Sequence, residues 1–510
     1  MSLAFLSWLL LFLIILPLIF FLSKRKSHPK LPPGPPRLPI VGSIGMLGNI
    51  THRTLWQLSQ KYGPLVYLKL GSLPALVVSS AKLASDVMKT QDLDFCNRPP
   101  FVSYKKLSYN FADIVFTPYG DYYRDMRKVC NNELLSLKKV QSFGFIREEE
   151  VARMIASISS CEASSKPANL TELMFALTST VVSRAAFGKS YRSGGDDHEK
   201  TNFHGIFEEA QAWFGAFFVA DYFPWLGWVD LITGQRGRLE KSFWNMDAFY
   251  EQVIVEHLDP SRQRQKDEVE DFVDVLIRVQ KDLNLTRDHI KAMLMVNLPS
   301  NIFIAGTDTG AATVVWAMTE LIKKPRVMKK VQDEIRRIMG SKGKIEESDL
   351  HRLEYLKLVV METFRMHPAA PLLVPRETTR PCKLNGYDIA PRTLVFVNAL
   401  AIGHEHESWE NPGEFWPERF IGTTIDYKGQ DFQLIPFGAG RRICPGMHFG
   451  AVTVELALAN LLYSFDWVLP PGMMEEDIDM SELPGITVHK KSHLLLVPIS
   501  YNSTNGKMKE

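Results

Sequence analysis

Hydrophobicity along the chain begins with a block, not a rhythm. Residues 3–22 carry no charge, and Ser7 and Pro17 are the only interruptions. A run of that length predicts a helix able to cross the roughly 30 Å hydrocarbon core of a bilayer. Lys24, Arg25, Lys26, His28 and Lys30 follow it, which by the positive-inside rule puts the N-terminus in the lumen and the remainder in the cytosol. The block lacks a basic segment before it and a small-residue cleavage site after it, so it reads as an uncleaved anchor over residues 1–23 and not as a signal peptide. Five prolines in residues 31–39 predict a stiff extended strut, and residues 24–40 form a basic flank and hinge.

Beyond residue 40 a helical period recurs over 148–160, 170–187, 243–257, 272–282, 298–323, 326–339 and 353–366. Residues 65–70 and 76–79 read as short strands around Gly71 and Pro74. A second strand region covers 383–398, with Asn385 and Gly386 supplying a hairpin turn and Leu394, Val395, Phe396 and Val397 a buried strand. Loops such as 193–198 separate these elements, and no repeat or Gly/Ser linker divides them. The pattern predicts one domain over 41–510, mainly α with minor β-sheets.

Composition narrows the partners. The 510 residues are 45% hydrophobic and 23% charged, enough to bury a large core. A net charge of +2 without a concentrated basic stripe argues against nucleic acid. Cys96, Cys130, Cys161, Cys382 and Cys444 are odd in number and widely spaced, which suits reduced thiols on the cytosolic side. Sequons at Asn169, Asn284 and Asn502 would then lie out of reach of glycosylation.

The most informative stretch is 436–446, Pro-Phe-Gly-Ala-Gly-Arg-Arg-Ile-Cys-Pro-Gly. It sets one cysteine in a cationic, glycine-rich loop, where the arginines are expected to lower the Cys444 pKa and the glycines to let backbone approach a flat ligand. A lone cysteine without a CxxC partner suits neither structural zinc nor an iron–sulfur cluster, whereas one axial thiolate on haem iron is a known arrangement. From Phe437 to Gly446 the stretch matches every fixed position of Phe-Gly-x-Gly-x-Arg-x-Cys-x-Gly and resembles the haem loop of cytochrome P450 enzymes, specifically those of plant microsomes.

That resemblance implies the P450 fold behind one N-terminal transmembrane helix, with Phe437 and Gly438 against the haem and Cys444 on its iron. Asp308 and Thr309, after Ala305, Gly306 and Thr307 in an apolar helix, are similar to the family's proton-delivery pair; Gly310 stands where Ser or Thr is common. Glu362 and Arg365, with Arg419 of Pro417-Glu418-Arg419-Phe420, resemble the family's structural ion triad. Tyr123 to Arg127 follows its Trp-x-x-x-Arg helix with Tyr for Trp, so Arg127, Arg442 and Arg376 are expected on the haem propionates. Phe101, Val102, Phe111, Val115, Phe217, Asn301, Ala305, Leu372, Leu373, Val374, Ile486 and Thr487 occupy regions resembling the walls of an apolar substrate pocket. The aromatic cluster Phe214, Phe217, Phe218, Phe223, Trp225 and Trp228 corresponds to the roof of that channel, facing the membrane.

The implied activity is oxidation, foremost hydroxylation, of an apolar terpenoid, alkaloid or phenolic. O₂ is activated at haem b with NADPH electrons delivered by NADPH-cytochrome P450 reductase, and cytochrome b5 is an optional second partner. Gly440, Arg441, Arg442 and Lys128 are expected to present a basic face to the reductase. The implied location is the endoplasmic reticulum membrane. Two alternatives stand beside this reading: a haem-thiolate isomerase or dehydratase that rearranges a peroxide without reductase, and a non-catalytic haem protein. Asp308 and Thr309 argue against the first, and NADPH consumption with reductase separates out the second.

Overall fold

The computed structural model describes residues 29–191, 203–262, 269–294 and 304–501. The anchor over 1–23, the loop 193–198, Asn301, Asn502 and the first part of the helix expected from residue 298 lie outside them. Among the described residues no helix is long and apolar enough to cross a membrane.

Residues 31–39 contain no helix, as proline's fixed φ and missing N–H dictate. The strut docks on the first strand, where Pro33 O accepts from Tyr67 N at 2.8 Å. Gly34 lies so close that a Cβ there would sit 2.0 Å from Tyr67 O. Strands β1 (Leu65–Leu70) and β2 (Leu73–Val78) form a hairpin, which Gly71 turns at a φ of 59°; β2 starts three residues earlier than expected and takes in Pro74 opposite Lys69. With β3 (Arg376–Glu377) and β4 (Leu394–Val397) they make a sheet of order β1-β2-β4-β3. The β2–β4 pair is parallel and sets Val77 opposite Phe396; the β4–β3 pair is antiparallel and sets Arg376 opposite Val395. The separate hairpin of Cys382–Leu384 and Tyr387–Ile389 turns on Asn385 and Gly386, both at positive φ.

The helices that frame the site are α1 (Asp121–Val129), α2 (Gly144–Ala163), α3 (Leu170–Phe187), α4 (Phe203–Phe214), α5 (Gln235–Leu258), α6 (Thr309–Lys323), α7 (Pro325–Met339), α8 (Glu354–Met366) and α9 (Met447–Ser464). Helix α3 has the bounds its sequence predicts: the Asn169 side chain caps Glu172 N, and Gly188 ends the helix in the left-handed region. Helix α5 starts before the expected residue 243 because its first turns are polar and show no apolar period. Helix α6 is buried from Gly310 to Ile322 and packs on α3, α8 and α9. It continues a π-helical turn, Ile304–Asp308, so the stretch expected as one regular helix changes pitch just before Thr309. Gly310 fits against α3: a Cβ there would lie 3.3 Å from Thr178 Cγ2, tight for the Ser or Thr common at that place.

Candidate active site

Between α6, α4, the loop before α1, the segment leading to β3 and the cysteine loop lies a cavity of about 280 Å³. Cys444 is in its wall, together with Phe437 and Gly438. Gly438 and Gly440 both take φ of 69°, which only glycine adopts at low cost. A Cβ at Gly440 would also meet Met88 O at 2.0 Å. Cys444 N donates to Phe437 O at 2.9 Å, and the Phe437 ring meets Phe364 of α8 edge-on at 5.2 Å.

The arginines beside Cys444 in sequence do not act on its thiol. Arg441 is engaged by Asp92 through its backbone N–H (3.0 Å) and Nη1 (3.1 Å). Arg442 donates to the carbonyls of Cys96 (2.9 Å), Ile114 (3.2 Å) and Thr117 (2.6 Å). Burial therefore pushes the Cys444 thiol up, with only the Gly446 N–H and Arg127 pulling the other way. This corrects the expectation of an arginine-made thiolate. Coordination of a bound metal would displace the thiol proton.

Arg127, Arg376 and Arg442 line the cavity, as does Arg98, which no motif marked. Arg98 is held by the carbonyls of Val115 (2.8 Å), Val374 (2.6 Å) and Pro375 (2.8 Å). Burial, with the charges of Arg442 and Arg376 added, holds it well below its usual pKa. Among the described residues, Asp92 on Arg376 (2.9 Å) is the one carboxylate ion-paired with any of these four. A cationic wall so short of anions, on an otherwise apolar cavity with a thiol in it, fits a flat apolar group bearing carboxylates and a thiophilic metal, which is the chemistry of haem. Tyr123, where Trp is usual, lies beneath Arg442 (3.9 Å to the ring centre) and donates to Arg441 O at 2.5 Å. A signal for Arg98 existed in its place before Pro99 and Pro100, but a single arginine in a loop is not distinctive.

Thr309 lines the cavity; Asp308 does not. Adjacent residues of a helix point about 100° apart, and the buried Asp308 carboxylate lies 3.6 Å from His489 Nε2. Of the expected pocket residues, Val115, Leu373, Val374, Ile486 and Thr487 are in the wall. Phe101, Val102, Phe111, Phe217 and Leu372 are not. Phe101 and Leu372 pack toward the β-sheet core, Val102 begins a helix with its N–H on Asp221, and Phe217 stacks outside on Tyr222 at 4.8 Å. Phe111 takes a positive φ of 68° and packs partly buried against the helical core. Asn301 and the Ala305 side chain lie outside the described residues. Places in the wall go instead to Tyr104, Phe116, Gln211 and Phe214.

Glu362, Arg365 and Arg419 come together. Arg365 grips Glu362 with two bonds (2.7 and 2.8 Å), and Arg419 Nε adds a third at 2.9 Å. Arg365 also donates to the carbonyls of Gly403, Pro412 and Glu414. The group thus holds the long segment before the cysteine loop, and Phe364 of the same helix carries that order to Phe437. The expected basic face is smaller than predicted, because Arg442 is buried and Lys128 faces Asp125 at 3.2 Å.

A family model described as Cytochrome P450 matches residues 32–497. Strychnine-11-hydroxylase of Strychnos nux-vomica is 48% identical over 505 residues, covering 96% of this chain and 97% of that one. Cytochrome P450 71A1 of Persea americana is 49% identical over 462 residues (89% and 91%), and cytochrome P450 71B37 of Arabidopsis thaliana is 46% identical over 502 residues (95% and 98%). A zebra fish cytochrome P450 structure with abiraterone superposes with a TM-score of 0.72 at 24% identity, covering 89% of this chain and 100% of that one, and shares the fold. Matched by that model across most of its length, with Cys444 in the wall of the cavity, the chain belongs to the cytochrome P450 family of haem-thiolate monooxygenases.

Proposed function

We propose that this protein hydroxylates an apolar small molecule of plant specialised metabolism, with Cys444 as the thiolate ligand of its haem. The observation that carries the reading is the placement of Cys444, Thr309 and four arginines in the wall of one otherwise apolar cavity. When bound, haem supplies reductive activation of O₂: two electrons from NADPH, passed through a reductase, leave one oxygen atom in the substrate C–H bond and the other in water. Arg98, Arg127, Arg376 and Arg442, which line the cavity, would hold the carboxylates of the group. Phe116, Phe214, Leu373 and Val374 keep water from the reacting carbon. Thr309 positions a proton at its hydroxyl within the cavity, while Asp308 and the partly exposed His489 link the same turn toward solvent. The relative from Strychnos, a hydroxylase by name, supports this type of reaction. The test is turnover in membranes with reductase, NADPH and ¹⁸O₂, on compounds first found by their shift of the haem spectrum. One labelled oxygen per product is expected; product formed without NADPH overturns the reading.

Thr309→Ala is expected to retain haem and substrate affinity while product per NADPH falls and hydrogen peroxide rises. Positioned proton transfer is typically worth about a hundredfold or more in rate. Measuring product, peroxide and NADPH together checks this, and an unchanged ratio removes Thr309 from the mechanism.

The expected aromatic cluster divides in two. Phe214, Phe218 and Phe223 are buried, whereas Phe217, Trp225 and Trp228 are exposed, beside the exposed Leu231 and Ile232. This segment meets the strut end at Gly71, whose N–H bonds Val41 O and whose neighbour Ser72 bonds Tyr222 O. Leu38 and Ile40 at the end of the strut are also exposed, and we assign the apolar surface of these two segments to the endoplasmic reticulum bilayer. A chain lacking residues 1–28 should still bind phospholipid vesicles. Trp225→Ser with Trp228→Ser should weaken that binding at least about tenfold, since burying one large apolar side chain contributes about 1.5–3 kcal/mol. Sedimentation with vesicles measures it, and equal binding by the two forms sinks the assignment.

A further inference from the structure

The polar side chains of the cavity wall differ in whether the protein already engages them. Arg98, Arg376 and Arg442 are bonded as described, Arg127 donates to Ile443 O at 2.7 Å, and Thr313 donates to Thr309 O at 2.7 Å. Gln211 is the one side-chain amide in the wall, and it has no hydrogen bond to any described residue. It stands on α4 three residues before Phe214, so the two share a helix face. The Phe214 ring stacks on Phe116 (5.2 Å, 24°), which in turn stacks on Tyr104 (4.0 Å, 24°). A flat aromatic wall therefore has a single amide at one end. An amide facing apolar walls is unfavourable unless something bonds it; the Tyr104 hydroxyl, in the same wall, likewise has no hydrogen bond to a described residue.

We propose that Gln211 selects the substrate: a neutral, flat, largely apolar skeleton that already carries one hydroxyl, carbonyl or ring nitrogen. That group bonds the Gln211 amide while the apolar body lies along Phe116 and Phe214. This rests on the oxygenation reading above and names its substrate class. It also gives the enzyme a place in a reaction sequence, after a step that has already put an oxygen or nitrogen on the skeleton, because a bare hydrocarbon leaves the amide unpaired.

The test titrates the full-length holoprotein with matched probes and reads the ligand-induced haem difference spectrum, a binding measurement independent of turnover. The probes are flat: naphthalene with 2-naphthol, and fluorene with its ketone fluorenone. In the unaltered protein the oxygenated member of at least one pair should bind about tenfold tighter than its hydrocarbon, the value of one good hydrogen bond in an apolar site. Gln211→Leu should abolish that preference, tightening the hydrocarbon, which no longer leaves an amide unpaired, and weakening its oxygenated partner. Gln211→Met, also apolar and of similar length, repeats the measurement if the leucine variant does not fold. A preference that survives both substitutions overturns the inference, as does its absence from every pair or failure of all four probes to bind. Loss of the thiolate-type carbon monoxide spectrum in the unaltered protein is a separate outcome; it overturns the haem reading itself and this inference with it.

Discussion

Cys444→Ser is expected to give a folded protein whose ferrous carbon monoxide complex lacks the thiolate-type absorption and whose oxygenation falls below detection. No other cysteine can substitute. Cys130 is buried in the helical core and Cys382 lies on a separate hairpin. Neither they nor Cys96 and Cys161 line the cavity. The loop itself should survive, because its shape rests on Gly438, Gly440 and the Cys444 N–H to Phe437 O bond, none of which needs the sulfur. Serine's hydroxyl is a far weaker ligand for iron than a thiolate. Thermal unfolding of the variant should therefore stay near that of the parent while the spectrum changes completely. An unchanged spectrum would show that Cys444 is not the ligand.

What could be read in advance followed the kind of signal each element carries. Helix α3 and strands β1 and β4 appear with their predicted bounds, because a capping Asn, a terminal Gly and short apolar runs act locally. Helix α9 was not predicted: it is buried on nearly every side, so it has no polar face and no period to detect. At the site, Cys444, Phe437, Gly438 and Arg376 could be placed because motifs name them. Arg98 and Gln211 could not, because their position in the wall depends on how distant segments pack. Helical spacing shows why neighbours in sequence need not share a surface: Asp308 and Thr309 are adjacent, yet only Thr309 reaches the cavity, beside Gly306 and Thr313. The charged loop misled in the same way, since Arg441 and Arg442 sit next to Cys444 while their guanidinium groups serve Asp92 and three backbone carbonyls.

The second large effect is expected from Glu362→Gln, a change far smaller in shape than in charge. Glu362 and Arg365 are both essentially inaccessible, and Arg419 has 5% of its side chain exposed. Removing the one carboxylate leaves two guanidinium groups without a counterion, and breaking a buried pair in this way typically costs about 3–5 kcal/mol. That is a large fraction of the roughly 5–15 kcal/mol that holds a typical domain folded. The urea midpoint should fall sharply, and haem should be lost at lower urea than in the parent, because α8 also carries Phe364 against Phe437 of the cysteine loop. Glu418→Gln is the contrast. Its partners Arg326 and Lys330 are well exposed and an amide oxygen can still accept from Tyr355 Oη (3.0 Å), so its loss should cost clearly less than that of Glu362. Replacing Glu362 and Arg365 together by Leu and Met should not restore stability, although apolar replacement of a buried pair often does. The reason is particular to Arg365, which also satisfies the carbonyls of Gly403, Pro412 and Glu414. Those acceptors would be left buried and unpaired, each at a cost of about 1–3 kcal/mol. A double variant as stable as the parent would show that the segment before the cysteine loop is held by something other than this group.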